Sequence, residues 1–339
     1  VIFSHDRRLD AIEKKLGGSE KIHCDHEKSV RGVERSTVRI IGGEAEGSGF
    51  VFDPSGLILT NFHVIEFESS PKVILFDNTF ETGEILMADK DADLAVIRIG
   101  KRVQAVPWGN PSELGPAEEV YAIGYPLGGR LAGEASVSKG SLSARRYSKD
   151  VGVEYLQTDI TLNGGLSGGP MINVCGEVVG VNTAGLSGLG MAISSDSIRQ
   201  KIEEMENAEN PLADVEKIDF LPNESALEAV KAFYNYLKIR KLDKAFEMLS
   251  SNFTGDYTFE HWKEGYAPLL DTTVIKILTN EGVSDRVDIK LKTKDMVEGE
   301  IVYKYFDGYW DVKNVDGRWL LWEANIKKVE DPDYMWFYR

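Results

Sequence analysis

Ser167 stands in NGGLSGGP, residues 163–170, with four glycines around it. A serine hydroxyl is a weak nucleophile until a neighbouring base takes its proton, and acyl transfer also needs N–H donors for the oxyanion. The plain alternative is a glycine-rich turn between strands, whose serine only caps backbone groups. A base and an acid elsewhere in the chain decide between these. His63, in LILTNFHVI, is the only histidine between residues 27 and 260. Among the acids of DKDADLAVIRI, Asp93 abuts the apolar run LAVIRI, whereas Asp89 and Asp91 read as solvated turn carboxylates.

Gly165-Leu166-Ser167-Gly168-Gly169 fits two serine-hydrolase patterns. The first is the G-x-S-x-G nucleophile elbow, which demands strand–turn–helix around the serine and the order Ser, acid, His. After Ser167 the chain runs into GGPMINVCGEVVGV, a strand and a hairpin, and the only later histidine is His261. The elbow fails on both demands. The order His63, Asp93, Ser167 suits a β scaffold instead. There Asp93 holds the His63 imidazole in one tautomer and stabilises the imidazolium formed as Ser167 attacks. The N–H groups of Gly165 and Ser167 are the expected oxyanion hole.

The elements that must position these residues divide the chain in two. Of 33 glycines, 27 precede residue 191, whereas five of six tryptophans follow residue 260. Leu9, Ile12 and Leu16 make a short helical stripe, and GGSEKIHCDHEKSVRG reads as a linker. From about Ser36 to Ser195 run TVRII, SGFVFD, LILTN, KVILFD, LAVIRI, EVYAIGY, PMINV, EVVGV and GMAIS. Short strands at this spacing, with no helical period between them, predict an all-β sandwich or barrel. SSDSIRQKIEEMENA closes it as a helix capped at Ser194, Ser195 or Asp196. Beyond the linker ENPLADVEKIDFLPNES, SALEAVKAFYNYLKIRKLDKAFEMLS carries a helical period broken near Arg240–Asp243, a helical hairpin. TTVIKILT, RVDIKLKTK, EGEIVYKYFDGYWDVKN and RWLLWEANIKKV then read as strands, giving an α+β domain.

GSGFVFDPSGLILTNFHVI, DADLAVIRIG, AIGYPLGG, LQTDITLNGGLSGGPMINVCGEVVGVNTAG and GMAISSDSI, in that order, resemble the HtrA/Deg family of trypsin-like serine endopeptidases over residues 34–205. The resemblance implies a chymotrypsin-like double β-barrel with His63, Asp93 and Ser167 as triad. It implies ATP-independent cleavage of unfolded or misfolded polypeptides, a homo-oligomer (a trimer above all) and a place outside the cytoplasm. VRIIGGE at 38–44 is similar to a trypsin zymogen activation site. The aspartate that would pair with the new N-terminus is replaced by Leu166, so 38–43 is expected to be an ordinary first strand. Trypsin-like pockets are charged six residues before the serine. Thr161 stands there, and with Leu162, Asn182, Thr183, Ala184 and Gly185 it is expected to shape a pocket for an uncharged, aliphatic P1 side chain.

No PDZ signature follows the peptidase motifs. Residues 224–330 resemble the nuclear-transport-factor-two-like fold instead, a curved antiparallel sheet wrapped on helices into a cone. The expected organisation is therefore a helix and linker (1–33), a peptidase domain (34–208), a linker (209–223), the α+β domain (224–330) and an aromatic tail (331–339). Trp262, Tyr305, Trp310, Trp319 and Trp322 read mostly as core, and the tail DYMWFYR is expected to dock on this chain or a neighbour.

A formal charge of −16 argues against a nucleic-acid or anionic-membrane surface. Cys24 and Cys175 are too few for a disulfide scaffold, and whether they pair is left open. His23, Cys24 and His26 have metal-ligand types but no second cluster, so no metal is expected, nor any other cofactor. A start at Val1 rather than Met admits an upstream signal or membrane anchor. The rival from another class is a catalytically idle peptide-binding or chaperone scaffold on the same fold.

Overall fold

The computed structural model describes residues 24–42, 45–126, 133–183, 190–279 and 285–338. The stripe expected over residues 9–16, and also His23, Ala184 and Gly185, lie outside them. The first described element, helix α1 (His26–Glu34), occupies a stretch expected to be linker. Asp25 caps it, accepting from Lys28 N at 3.2 Å. The helix fully buries Val33 alone, so its apolar period is too sparse to read from sequence. A disulfide joins Cys24, just before α1, to Cys175, with Cα atoms 5.1 Å apart.

Strands β1 (Thr37–Ile41), β2 (Glu46–Asp53), β3 (Leu57–Thr60), β4 (Lys72–Ile74), β5 (Phe80–Thr82), β6 (Glu84–Asp89) and β7 (Leu94–Arg98) form one antiparallel sheet. Its order is β5-β4-β1-β2-β3-β7-β6, and a short helix, α2 (Phe62–Ile65), follows β3. β-branched and large apolar residues dominate these runs, and all five residues of β1 are buried. The sheet is a half-barrel, not the closed barrel expected. Its edge strands β5 and β6 are consecutive in the chain with only Gly83 between them, so they pair with β4 and β7 rather than with each other.

Strands β8 (Glu119–Gly124), β9 (Ser136–Ser148), β10 (Val153–Thr158), β11 (Pro170–Asn173), β12 (Val178–Thr183) and β13 (Gly190–Ser194) make the second unit. It is a closed barrel in the order β10-β13-β12-β11-β8-β9, which leaves no free edge. Phe50, Leu59 and Leu94 of the first sheet share one core with Ile123, Ile172, Val181 and Ile193 of the barrel. Helix α3 (Ser195–Glu206) closes the unit, with Ser194 as its cap and Ile198 and Met205 buried.

The C-terminal region combines helices with a four-stranded antiparallel sheet. Helix α4 (Ala226–Lys238) is capped by Ser225, and Arg240, at φ +58°, ends it before α5 (Leu242–Glu247). Two short helices follow, α6 (Ser251–Thr254) and α7 (Phe259–Glu264). Strands β14 (Leu269–Thr279), β15 (Arg286–Val297), β16 (Glu300–Val315) and β17 (Arg318–Val329) then pair in chain order. Val287, Ile289 and Leu291 of β15 and Trp310 and Val312 of β16 face α4, burying Val230, Phe233 and Leu237. The residues that alternate with them form the other face of the sheet. On that face the segment Tyr334–Phe337 is docked. Lys290 Nζ donates to Trp336 O at 2.8 Å, and Trp336 Nε1 to Asp307 at 3.1 Å. Tyr334 and Tyr338 of the tail stay exposed.

The C-terminal region packs on the half-barrel. Ile41 and Ile74 meet Leu270 and Ile301 in a small apolar cluster. Lys238 Nζ bridges Glu68 and Asp271 at 2.8 Å each, and Lys72 Nζ donates to Lys238 O at 2.9 Å. The stretch between the two regions lies along β6, where Pro211 O accepts from Ala88 N at 2.9 Å and Leu212 and Val215 join the half-barrel core.

Candidate active site

His63 lies on α2, one turn of helix that follows Asn61. The turn between β6 and β7 faces it. There Asp89 accepts from Ala92 N at 2.8 Å, and Asp93 takes a left-handed backbone conformation, φ +54°, which a short polar side chain tolerates. Asn61 Nδ2 donates to Asp93 O at 2.8 Å and fixes that turn against α2.

Both carboxylate oxygens of Asp93 lie 2.9 Å from His63 Nδ1. Oδ1 also accepts from His63 N at 3.0 Å, and Oδ2 from Thr183 Oγ1 at 2.8 Å. An ionised carboxylate only accepts, so Nδ1 carries the ring proton and Nε2 is left with its lone pair. Three donors thus converge on Asp93 from two elements besides its own. Thr183 was expected in the substrate pocket; here its hydroxyl is on the acid. Nearby, burial first and then the Asp93 charge hold the Tyr155 phenol above its ordinary pKa.

Ser167 sits in the turn before β11, against β2. Ser48 N donates to Ser167 O at 2.9 Å, and Ser48 Oγ donates to Gly165 O at 2.6 Å. Tyr125 N in turn donates to Ser48 Oγ at 2.8 Å. Gly168 N donates to Asn182 O at 2.8 Å, and Asn182 N to Gly169 O at 2.9 Å. Asn182 is fully buried, so it braces the loop from behind. Thr161 is exposed and Leu162 half-buried beside the barrel core. Leu166, where a zymogen aspartate would stand, is buried.

The glycines here have geometric causes. Gly168 has φ +84°, and a Cβ on it would lie 2.1 Å from Ser48 O and 2.4 Å from Thr60 Oγ1. A Cβ on Gly47 would meet Val64 Cγ2 at 2.6 Å and Ser167 O at 3.1 Å. Gly47 is thus where the helix of His63 and the loop of Ser167 approach each other. Gly165 has φ +97°, and neither its N–H nor that of Ser167 donates to an acceptor among the described residues. Backbone donors left uncommitted beside a serine are what an oxyanion hole requires. Among the described residues Ser167 Oγ makes no hydrogen bond to His63, whose ring is bonded through Nδ1. Catalytic contacts of this kind are often long before substrate enters.

Sequence reasoning missed Ser48 and the bond from Thr183 to Asp93. Neither residue carries a local signal; each acts through a partner far along the chain.

Comparison with known proteins bears on the N-terminal half. A family model described as a trypsin-like peptidase domain matches residues 47–181. The serine protease HTRA1 of Xenopus laevis is 38% identical over 175 residues, 49% of this chain and 37% of that protein. The serine protease HTRA1B of Danio rerio is 38% identical over 169 residues, 47% of this chain and 35% of that protein. A Pseudomonas savastanoi pv. phaseolicola protein named "Probable periplasmic serine endoprotease DegP-like" is 40% identical over 159 residues, 44% of this chain and 32% of that protein. The chain therefore spans between 32% and 37% of the length of these three relatives.

Proposed function

We propose that the N-terminal half, an HtrA/DegP-type trypsin-like peptidase domain, makes this protein a serine endopeptidase acting on unfolded or misfolded polypeptides. The observation that carries this is the Asp93–His63 pair at 2.9 Å, facing a loop whose Gly165 and Ser167 N–H groups are uncommitted among the described residues. His63 Nε2 takes the Ser167 proton as Oγ adds to the scissile carbonyl, and the oxyanion receives the two N–H groups. The imidazolium, balanced by Asp93, then protonates the leaving amine as the C–N bond breaks. Water repeats the sequence on the acyl-enzyme, returning the proton to Ser167. None of these steps uses a metal or nucleotide.

Thr161 and Leu162 favour an uncharged, aliphatic P1 residue, since no charge stands at the position that sets Lys/Arg preference. A homo-oligomer, with a trimer favoured, goes with the relatedness to HtrA proteins. The Cys24–Cys175 disulfide and a relative named as periplasmic support an extracytoplasmic location, because cytosolic thiols are kept reduced. The helical hairpin packed on a four-stranded sheet supports a nuclear-transport-factor-two-like C-terminal domain.

Fluorophosphonate labelling and casein digestion, with Ser167→Ala as control, test the reading. Labelled wild type, unlabelled variant and cuts after aliphatic residues are expected. A wild type that stays unlabelled with and without casein would leave the idle scaffold standing, and cuts mainly after Lys or Arg would remove the pocket assignment.

A further inference from the structure

Strand β2 touches both the catalytic loop and the C-terminal sheet, on one face. Ser48 pairs with Arg39 across the β1–β2 ladder, and Glu46 pairs with Ile41. Directly opposed residues share a face, as do residues two apart on one strand, so Arg39, Ile41, Glu46 and Ser48 all point the same way. At one end of this face Ser48 Oγ holds Gly165 O, while its backbone N–H, in the plane of the sheet, holds Ser167 O. At the other end Glu46 belongs to the domain interface. Tyr303 OH donates to Glu46 Oε1 at 2.7 Å, and Lys294 Nζ lies 3.2 Å from the same oxygen while donating to Gly42 O at 2.8 Å. Lys294 and Glu46 are both nearly buried, with side chains 3% and 12% exposed.

Between them, Gly47 abuts Val64 of α2 and Ser167 O. Two peptide units therefore separate the carboxylate held by the C-terminal sheet from the serine that holds the nucleophile loop.

We propose that Lys294 and Tyr303 are positioning residues for the oxyanion hole, acting through Glu46, Gly47 and Ser48; this rests on the peptidase reading. By gripping Glu46 and Gly42 they fix the start of β2, and Ser48 passes that position to the peptides at Gly165 and Ser167. The neighbouring cation gives the device an alternative state. Arg39, 1% exposed, lies over the Tyr125 ring at 5.1 Å, feels the Glu46 charge, and among the described residues has no hydrogen-bond partner for Nε or Nη1. When Lys294 and Tyr303 withdraw, these free donors draw the Glu46 carboxylate along the face toward Ser48. Catalytic competence is thereby made conditional on docking of the second domain.

The test uses the full chain and a fluorogenic peptide with an aliphatic P1 residue, measuring kcat, KM and the rate of fluorophosphonate labelling. Lys294→Met is expected to lower kcat about 10-fold and Tyr303→Phe about 3-fold, with KM within about twofold, because a misplaced oxyanion donor weakens the transition state alone. Lys294→Arg should recover most of kcat, since it restores the cation. On a Ser48→Ala background, Lys294→Met should cost less than about twofold more, because residues acting in series are not additive. Unchanged kcat in both single variants, a change in KM instead, no rescue by arginine, or full multiplication with Ser48→Ala would each overturn the proposal. If Lys294→Met fails to fold, Tyr303→Phe, which removes one hydroxyl, carries the test. Wild type that does not label would bring down the peptidase reading as well; wild type that labels, beside unaffected variants, brings down this inference alone.

Discussion

Asp93→Asn separates the two jobs of the acid, because the structure dictates how the amide must sit. An Nδ2 in place of Oδ1 would face the His63 backbone N–H, donor against donor, across 3.0 Å. In place of Oδ2 it meets the Thr183 hydroxyl at 2.8 Å, which rotates to accept. Because Oδ2 also lies 2.9 Å from Nδ1, the amide must turn about Cβ–Cγ to keep Oδ1 on the Nδ1 proton and Nδ2 on Thr183; in that rotamer the productive tautomer survives and only the charge is lost. Two unit charges about 4 Å apart interact by about 4 kcal/mol at an effective dielectric of about 20. The Asp93 side chain is 25% exposed, so solvent screening trims this to about 3–4 kcal/mol, a loss of about 10²–10³ in kcat. Inverting the tautomer as well costs about 10⁴. Adding Thr183→Val removes the acceptor that orients the amide, and the double variant should fall to about that level. Steady-state kcat on a peptide substrate, with fluorophosphonate labelling rates, reads both. If Asp93→Asn alone drops by the full tautomer penalty, or Thr183→Val adds nothing to it, the hydrogen-bond assignment at Asp93 is wrong.

Two further outcomes follow from buried or cross-linked groups. Breaking the Cys24–Cys175 bridge with a double serine variant opens a loop of 151 residues; the chain-entropy limit is about 5 kcal/mol, and about 2–4 kcal/mol of lost stability is expected by denaturant titration. Loss below about 1 kcal/mol would mean that α1 is held by its packing alone. Lys72 gives a pH signature: burial pulls its ammonium from 10.5 down to about 8, against the charges of Glu68 and Asp271. Between those values the unfolded chain binds more protons than the folded one, so unfolding free energy should rise with pH across that window, by up to about 3 kcal/mol. Lys238, which burial lowers but Asp271 and Glu68 together raise above its ordinary value, reverses the trend at still higher pH. Lys72→Met should flatten the rise; a profile that falls through this window in the wild type would refute the assignment.

How much was legible follows from what kind of signal each residue leaves. Gly168 and Gly47 mark places where chains approach too closely for a side chain; the glycine-rich run around Ser167 was legible in the sequence, whereas the approach at Gly47 was not. His63 stood out because histidine is scarce, and Asp93 because it abuts a buried strand. Nine strands of the N-terminal half were visible as apolar runs, and the hairpin of α4 and α5 by its period, but β5, β6, β9 and β10 were not among those runs. Helix α1 was not, since one fully buried residue in nine leaves no pattern. The closure of each sheet was not either, because it depends on which edges meet. Gly83 joins two strands that pair with different neighbours.

Residue order and type were enough to set a serine, a histidine and an aspartate in a β scaffold and to exclude the elbow and the zymogen switch. Each of those inferences depends on local chemistry: a φ that glycine alone adopts freely, a carboxylate missing before the serine, a period of two or of 3.6. The supports were decided by the folded chain. Thr183 reaches Asp93 across 90 residues, Ser48 reaches Gly165 across 117, and Lys294 reaches Gly42 across 252. A threonine, a serine or a lysine is common enough to stand anywhere. What makes these three matter is burial opposite a partner, a property of two distant segments at once and therefore of tertiary structure alone.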